Sequence, residues 1–524
     1  MVIDFNTAFG FWQRDYRDTS LAQLLRLMDR HGIDGALTCA SSAVWGDFVR
    51  GNAETLQACA ENPRLLPVLT VRPLHYLGCA DEIATARERG FRMVRFFPHE
   101  QGWGPRDLCF RRLAEPLVAA GLPVLWTYLD EADPLRPVPT LVDYFRGSDL
   151  PLIFGSVSYA LGEFLSACEL HPHCYTDTAQ LFLLNELEII RDHVGIEHVL
   201  FGSHAPFDSP AAPLAVVLHA RLTEGERAAV LGGNAARLLG LEAGNKVHPR
   251  PLPGASDDPA SWPKGQAPAT PETCAGGVRP SGPLIDIHAH YGPWPGLPNP
   301  YLSRDDILAT CGRFGIETCI VSSTVAIGHD VEAGNREVRE VIEGHARLRG
   351  YVVIHPGYPE LAMRELREYL ALPNFVGAKL HPKHCGYQAD SPEVRSLMEY
   401  LAALGRPLLA HTWFREMCDA MARLADMLPE LTLIMGHMGG DDWPYALEVA
   451  ADRPNVLLEL CSGLAPVGKI EQAVAMVGAD RLLFGSDLTI LDPGYTLGTV
   501  LGSEISEAEK RSILYNNAKR VFAF

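Results

Sequence analysis

No run of Lys or Arg occurs anywhere in the 524 residues, and 45 basic side chains face 64 acidic ones, a formal charge of −19. Phosphate backbones and anionic membrane surfaces are gripped by clustered cations, so this deficit excludes nucleic acid and membrane as the main partners. Long apolar runs are missing too: no window approaches the roughly eighteen uninterrupted apolar residues of a spanning helix. The opening stretch, Met1 to Gly10, has no basic segment leading into an apolar one. No secretory signal is therefore expected, and a cytoplasmic location is. The 12 cysteines include no C-x-x-C pair and no zinc-finger spacing, so reduced and mostly buried thiols are expected. Cys461, beside an expected strand end, is the one to watch, with packing as the plainer reading.

What is present is an ordinary globular composition stretched over a length too great for one common core. From Pro249 to Pro283 hydrophobic periodicity gives way to Pro, Gly, Ala, Ser and Asp, which is linker composition. The sequence thus divides into 1–243, a linker over 244–282, and 283–524. The halves repeat one another at a nearly constant offset. V-I-D-F-N at Val2–Asn6 returns as L-I-D-I-H at Leu284–His288, G-L-P-V-L-W-T at Gly121–Thr127 as G-R-P-L-L-A-H at Gly405–His411, and H-V-L-F-G-S-H at His198–His204 as R-L-L-F-G-S-D at Arg481–Asp487. A register held from end to end indicates gene duplication.

In the second half, short Val/Ile/Leu-rich runs alternate with segments of helical period. Strands are expected near Leu284–His288, Thr318–Ser322, Tyr351–His355, Val376–His381, Pro407–His411, Thr432–His437, Val456–Leu460 and Leu482–Asp487, with helices such as Pro359–Leu370 and Pro392–Leu404 between them. Eight βα units close naturally into a barrel, so the fold class is α/β: two tandem TIM-type (β/α)8 barrels.

Chemistry in such barrels sits at the carboxyl ends of the strands. There the second half carries His288 and His290, Lys379 and His381, His411, His437 and Asp487. His288 and His290 are two residues apart on one strand, so both side chains point to the same side and offer two imidazoles to one ion. With His411 and Asp487 they make a mononuclear set of nitrogen and oxygen donors. Zinc is the ion expected, with manganese or iron as alternatives.

D-I-H-A-H (286–290), G-A-K-L-H-P (377–382), L-A-H-T-W (409–413), I-M-G-H-M-G-G (434–440) and F-G-S-D (484–487) together resemble the amidohydrolase superfamily, and most of all its branch of aminocarboxymuconate semialdehyde decarboxylase, resorcylate decarboxylase and pyrone dicarboxylate lactonase. The resemblance implies that His288, His290, His411 and Asp487 hold the metal, with Asp487 and His437 catalytic. Lys379 is open between two readings, a carboxylated lysine bridging two metals and a contact to a substrate carboxylate; a single metal is favoured. His381 is a candidate substrate contact or part of an interior polar network, and Arg415 a candidate anion contact or a solvated helix start. Trp294, in the proline-rich loop Tyr291–Leu302, either shapes substrate entry or packs on the rim. His329, His345 and His355 are read as structural.

Carried across the repeat, His288 becomes Asn6, His290 becomes Ala8, His411 becomes Thr127, His437 becomes Ser156 and Asp487 becomes His204, while Lys379 and His381 become Arg95 and Phe97. Five exchanges remove the ligand set, so the first barrel is expected to bind no metal in this manner. Members of the branch pair as dimers, and the inactive copy is expected to replace a second subunit as an intramolecular pseudo-dimer, alone or within a larger homo-oligomer. Two activities are carried forward for a small, acidic substrate. The first is hydrolysis of an amide, lactone or ester by metal-activated water, whose pKa falls from about 15.7 toward about 7. The alternative is non-oxidative decarboxylation with the same residues. A third reading, a small-molecule sensor without catalysis, suits the first half only.

Overall fold

The computed structural model describes residues 1–13, 17–127, 137–241, 280–297, 299–300 and 302–524. Of the expected linker, only residues 280–282 fall among them. Internal contacts divide the chain into two compact units, Met1–Val278 and Arg279–Phe524.

In the first unit β1 (Ile3–Asp4), β2 (Gly35–Thr38), β3 (Leu65–Thr70), β4 (Met93–Phe96), β5 (Val124–Trp126), β6 (Leu152–Phe154), β7 (Cys174–Asp177) and β8 (Val199–Leu200) pair in sequence order, all parallel. A bridge between Thr7 and Ala205 and the bond from Phe5 N to Phe201 O, 2.7 Å, bring the last strand back to the first. The second unit repeats this with β9 (Leu284–Tyr291), β10 (Ile316–Ser323), β11 (Leu348–Val353), β12 (Phe375–Leu380), β13 (Leu408–His411), β14 (Leu433–Gly436), β15 (Val456–Glu459) and β16 (Leu482–Leu483). Its ring is joined by Ala289 with Leu488 and by Ile287 N to Phe484 O at 3.1 Å. The protein is two tandem (β/α)8 barrels, as its alternating pattern predicts.

Parallel neighbours need a crossover, and helices supply it. Their limits follow local chemistry. Ser303 caps Arg304–Phe314 in a reciprocal box with Asp306, and Gly315, at φ 71°, closes that helix in the left-handed region where glycine carries no Cβ penalty. Inside the second barrel each strand turns a side chain to the axis: Ile285 and Ile287, Ile320, Tyr351, Val376, Leu409, Ile434, Leu457 and Leu483 form one buried cluster, sealed at the amino end by Ala518 and Phe522. The first barrel has its counterpart in Ile3, Phe5, Leu37, Val68, Met93, Leu125, Ile153 and Leu200. Both interiors are packed cores, so any reaction site is confined to the carboxyl rim.

The duplication extends to buried polar contacts. Ser203 Oγ donates to Asp4 and Ser486 Oγ to Asp286, each at 2.5 Å. Asn234 and Asn517 each donate to two carbonyls, one just before the last strand and one on its first residue. Asn52 pairs with both backbone groups of Thr70, and Asn335 with those of Val353. Both closing helices run through a π-helical turn, at Ala229–Gly233 and Ser512–Asn516. Among the described residues no helix is long and apolar enough to cross a membrane.

Candidate metal centre

β9 continues past the expected His288 to Tyr291, and its alternation delivers His288 and His290 to the same rim. Both are buried, as are Lys379, the penultimate residue of β12, His437, directly after β14, and Asp487, four residues beyond β16. His290 Nε2 lies 2.8 Å from Asp487 Oδ1, His288 Nε2 lies 3.5 Å from the same oxygen, and Lys379 Nζ is 2.5 Å from His288 Nε2. His437 sits 4.9 Å from His288, ring to ring, and 4.6 Å from His411. His437 and Asp487 both take left-handed backbone, at φ 61° and 60°. Such geometry is costly for side chains other than glycine and recurs where a fold must aim a functional group.

The remaining imidazole nitrogens are anchored. Glu459 Oε2 is 2.8 Å from His288 Nδ1, Ser322 Oγ is 3.1 Å from His290 Nδ1, and the Cys461 carbonyl oxygen is 3.1 Å from His437 Nδ1. A ring held at Nδ1 presents Nε2, which is how metal-binding histidines are fixed in tautomer and direction. Asp487 Oδ1 is buried and accepts no aligned hydrogen bond, although His290 Nε2 is at contact distance. An orphaned carboxylate oxygen facing directed imidazole nitrogens fits a divalent cation. Among the described residues His288, His437, Cys461 and Asp487 each offer a donor atom, all within 4.8 Å of one another. Of the expected ligands, His290 joins this group through Asp487, while His411 stands one ring outward, against His437 and, at 4.0 Å, stacked on His381.

Burial dominates the electrostatics. It drives His288, His381 and His411 well toward the neutral form, reinforced by Lys379, and lowers His437 to about 4. It also brings Lys379 down to about 8, against the pull of Asp487. Burial alone would raise Asp487, but His288, His290 and His437 hold it well below the ordinary carboxylate range. Beneath the rim, Asp286 is pushed up to about 7 by burial against the pull of the Ser486 hydroxyl.

Two participants stand outside the histidine pattern. Glu459 ends β15 fully buried; its Oε2 also accepts from His437 N at 3.0 Å and its Oε1 from Cys461 N at 2.5 Å. Cys461 is not mere packing, because its Sγ lies 3.3 Å from Nδ1 of both His288 and His437. The signal for Glu459 is an acid at the end of the apolar run V-L-L-E, in register with Asp177 of the first copy. Arg415 is not brought to the cluster: it is exposed and its guanidinium lies 3.6 Å from the Tyr445 ring centroid. A face-on aromatic partner at the surface satisfies it there. Trp294 does reach the rim, 6.1 Å from His290.

The first barrel keeps the frame without the donors. Asn6 Nδ2 donates to Asp177 Oδ2 at 2.9 Å, reproducing the His288 to Glu459 contact with an amide. Buried Arg95 donates to Thr127 Oγ1 and Thr7 O and lies over the Phe97 ring. Trp12 packs on Phe97 and Phe207, and His204 bonds Asp208 at 2.8 Å. Ser156 retains the left-handed φ of 62° that serves His437 in the second copy.

The amidohydrolase family matches residues 10–241 and again 285–524. A curated relative, gamma-resorcylate decarboxylase of a Polaromonas species, is 24% identical over 296 residues, 44% of this chain and 90% of its own. Among solved structures, 2,6-dihydroxybenzoate decarboxylase from Rhizobium aligns over 46% of this chain and 99% of its own at 19% identity and a TM-score of 0.40. A 5-carboxyvanillate decarboxylase from Novosphingobium aromaticivorans, solved with manganese, aligns over 47% and 99% at 14% identity and a TM-score of 0.40.

Proposed function

The chain belongs to the amidohydrolase family, and on that footing we propose that its second barrel is a metal-dependent decarboxylase of a small hydroxylated aromatic acid. The curated relative, a decarboxylase covered over nine-tenths of its length, favours this over the hydrolytic reading that the motifs put first. The observation that carries it is Lys379: a buried amine beside the candidate ligands, 2.5 Å from His288 Nε2, which, once an ion takes that nitrogen, is free to turn to a substrate carboxylate and supply the positive charge that a carboxylate leaving water requires.

His288, His290, His411 and Asp487 are proposed to hold one divalent ion, with Cys461 and Glu459 behind the imidazoles. When bound, the ion supplies Lewis-acid neutralisation of the substrate's oxygens. Lys379 binds the carboxylate and orients the ring. His437, with Nδ1 turned to the Cys461 carbonyl, presents Nε2 as the acceptor that positions the neighbouring hydroxyl. The Asp487 carboxylate takes the hydroxyl proton and returns it to the ring carbon that bears the carboxylate. The bond from that carbon to the carboxylate then breaks, its electron pair stays in the ring, carbon dioxide leaves, and the phenolate takes a proton from water.

The test is the metal-loaded full chain offered hydroxybenzoates, lactones and amides. Carbon dioxide and a phenol from a hydroxybenzoate are expected; acid release from a lactone or amide without carbon dioxide restores hydrolysis. Elemental analysis of the same preparation distinguishes zinc from manganese and iron. That the first barrel replaces a second subunit is a separate proposal, motivated by the duplication and the lost ligand set. A segment 283–524 that is stable, monomeric and fully active by itself overturns it.

A further inference from the structure

The rim of the second barrel carries an aromatic edge that the proposed chemistry leaves unused. Trp294 rests on Ala326, Ile327 and Val353. Its ring meets His384 edge-on at 5.2 Å and 79°, and His381 at 6.1 Å. His384 in turn meets His381 at 4.5 Å and 83°, and His381 stacks on His411 at 4.0 Å and 15°. Three imidazoles thus step outward from the candidate ligand His411 to the exposed His384.

Stability does not explain this row. His381 is only 7% exposed, yet its Nδ1 is buried without a hydrogen-bond partner. An unmet buried polar atom costs about 1–3 kcal/mol, a cost that a ligand's polar group removes. His384 sits on the short turn Pro382–Cys385 that His381 opens, so a common backbone segment sets both rings. Lys379 and His381, two residues apart at the end of β12, face the same way, so a ring whose carboxylate meets Lys379 would have the His381, His384 and Trp294 edge beside it.

We propose that His381 and His384, walled by Trp294, form a specificity subsite that reads a neutral hydroxyl on the substrate ring, remote from the carboxylate. The proposal rests on the decarboxylase reading for its substrate class but not on the reaction itself. A neutral imidazole offers one donor and one acceptor, the complement of a hydroxyl. Partial burial of its ring and the neighbouring Lys383 lower the His384 pKa from its ordinary value. An analogue without the hydroxyl leaves His381 Nδ1 unmet, and such mismatches are where polar pockets discriminate best.

The experiment uses the metal-loaded full chain with His384→Phe, a change at an exposed position, and His384→Asn, which keeps a hydrogen-bonding group. Calorimetry measures the binding of 1,3-dihydroxybenzene against phenol, and turnover of dihydroxybenzoates is compared with that of 2-hydroxybenzoate. The native chain is expected to prefer the dihydroxy compound by about tenfold or more. His384→Phe removes one of the two imidazoles and reduces that preference by about threefold or more while His381 keeps the remainder, raising KM and sparing kcat, and His384→Asn recovers part of the loss. A preference unchanged in His384→Phe, an equal loss for both ligands, or no binding of either by the native chain overturns the subsite. Preference that depends on His384 without carbon dioxide release keeps the subsite and removes the decarboxylase; carbon dioxide release with selectivity indifferent to His384 does the reverse.

Discussion

Glu459 accepts from the His288 ring, the His437 amide and the Cys461 amide, so one side chain ties the end of β15 to two candidate metal-site histidines. Glu459→Gln keeps the shape and removes the charge that raises the basicity of His288. It is expected to weaken metal affinity about 10–100-fold, read by competition with a chelating dye, while folding is retained. Unaltered affinity would reduce Glu459 to packing. The histidines were legible because their type and strand-end placement announce donors; Glu459 was not, because an acid in an apolar run gains meaning only when its three partners converge. Arg415, readable as an anion contact or as a solvated helix start, stands as the exposed first residue of the helix Arg415–Met427 with Tyr445 beneath it. A second prediction concerns Asp4, fully buried and pushed up to about 7 by burial from an unfolded value of 3.8. A raised acid stabilises the fold while protonated, fully below pH 3.8 and progressively less as pH rises through 7, a loss of up to about 4 kcal/mol. The stability advantage of the native chain over Asp4→Asn should therefore shrink from pH 5 to pH 8 in thermal melts. A gap that stays constant from pH 5 to pH 8 would show that the hydrogen bonds from Ser203 and Asn6 keep Asp4 ionised.

At the scale of elements, the eight strands of the second barrel lie within a few residues of where apolar runs place them, because a parallel strand covered on both faces must be apolar along its length. The ends were less legible. β16 was expected to reach Asp487, but its ladder stops at Leu483, since the G-S-D segment bends into the left-handed turn that aims the carboxylate. β9 runs longer than expected because His288 and His290, polar by type, are held within the sheet. Asn335 shows how helices are locked to this frame: its amide closes on both backbone groups of Val353, at 3.0 Å each, and meets Glu365 at 3.2 Å. Asn335→Ala leaves buried backbone groups unmet and is expected to destabilise the second unit by about 3 kcal/mol in urea unfolding. Asn52→Ala, which breaks the equivalent clasp on Thr70, should destabilise the first unit by a similar amount. If either variant unfolds like the native chain, the clasp is dispensable.

For the whole molecule, duplication sets two barrels of one architecture one after the other in sequence, with different residues at the matching rim positions and a cation site proposed in only one. The first barrel has internal substitutes at the same rim: Arg95 contributes a fixed charge, Asn6 an amide, and Trp12, Phe97 and Phe207 fill the mouth. Metal bound to the native state protects the segments that hold it by suppressing their local opening. Hydrogen exchange on the full chain, metal-loaded against chelator-treated, is expected to show faster exchange after chelation at 284–291, 408–411 and 482–488. The matching segments 2–9, 124–127 and 199–205 of the first copy should be unchanged. Because the two sets share strand position, burial and backbone geometry, a difference between them isolates the side chains as its cause. Equal loosening of both sets would mean that the ion stabilises the chain by a route other than the second rim, and protection confined to the first set would reverse the assignment of the two barrels.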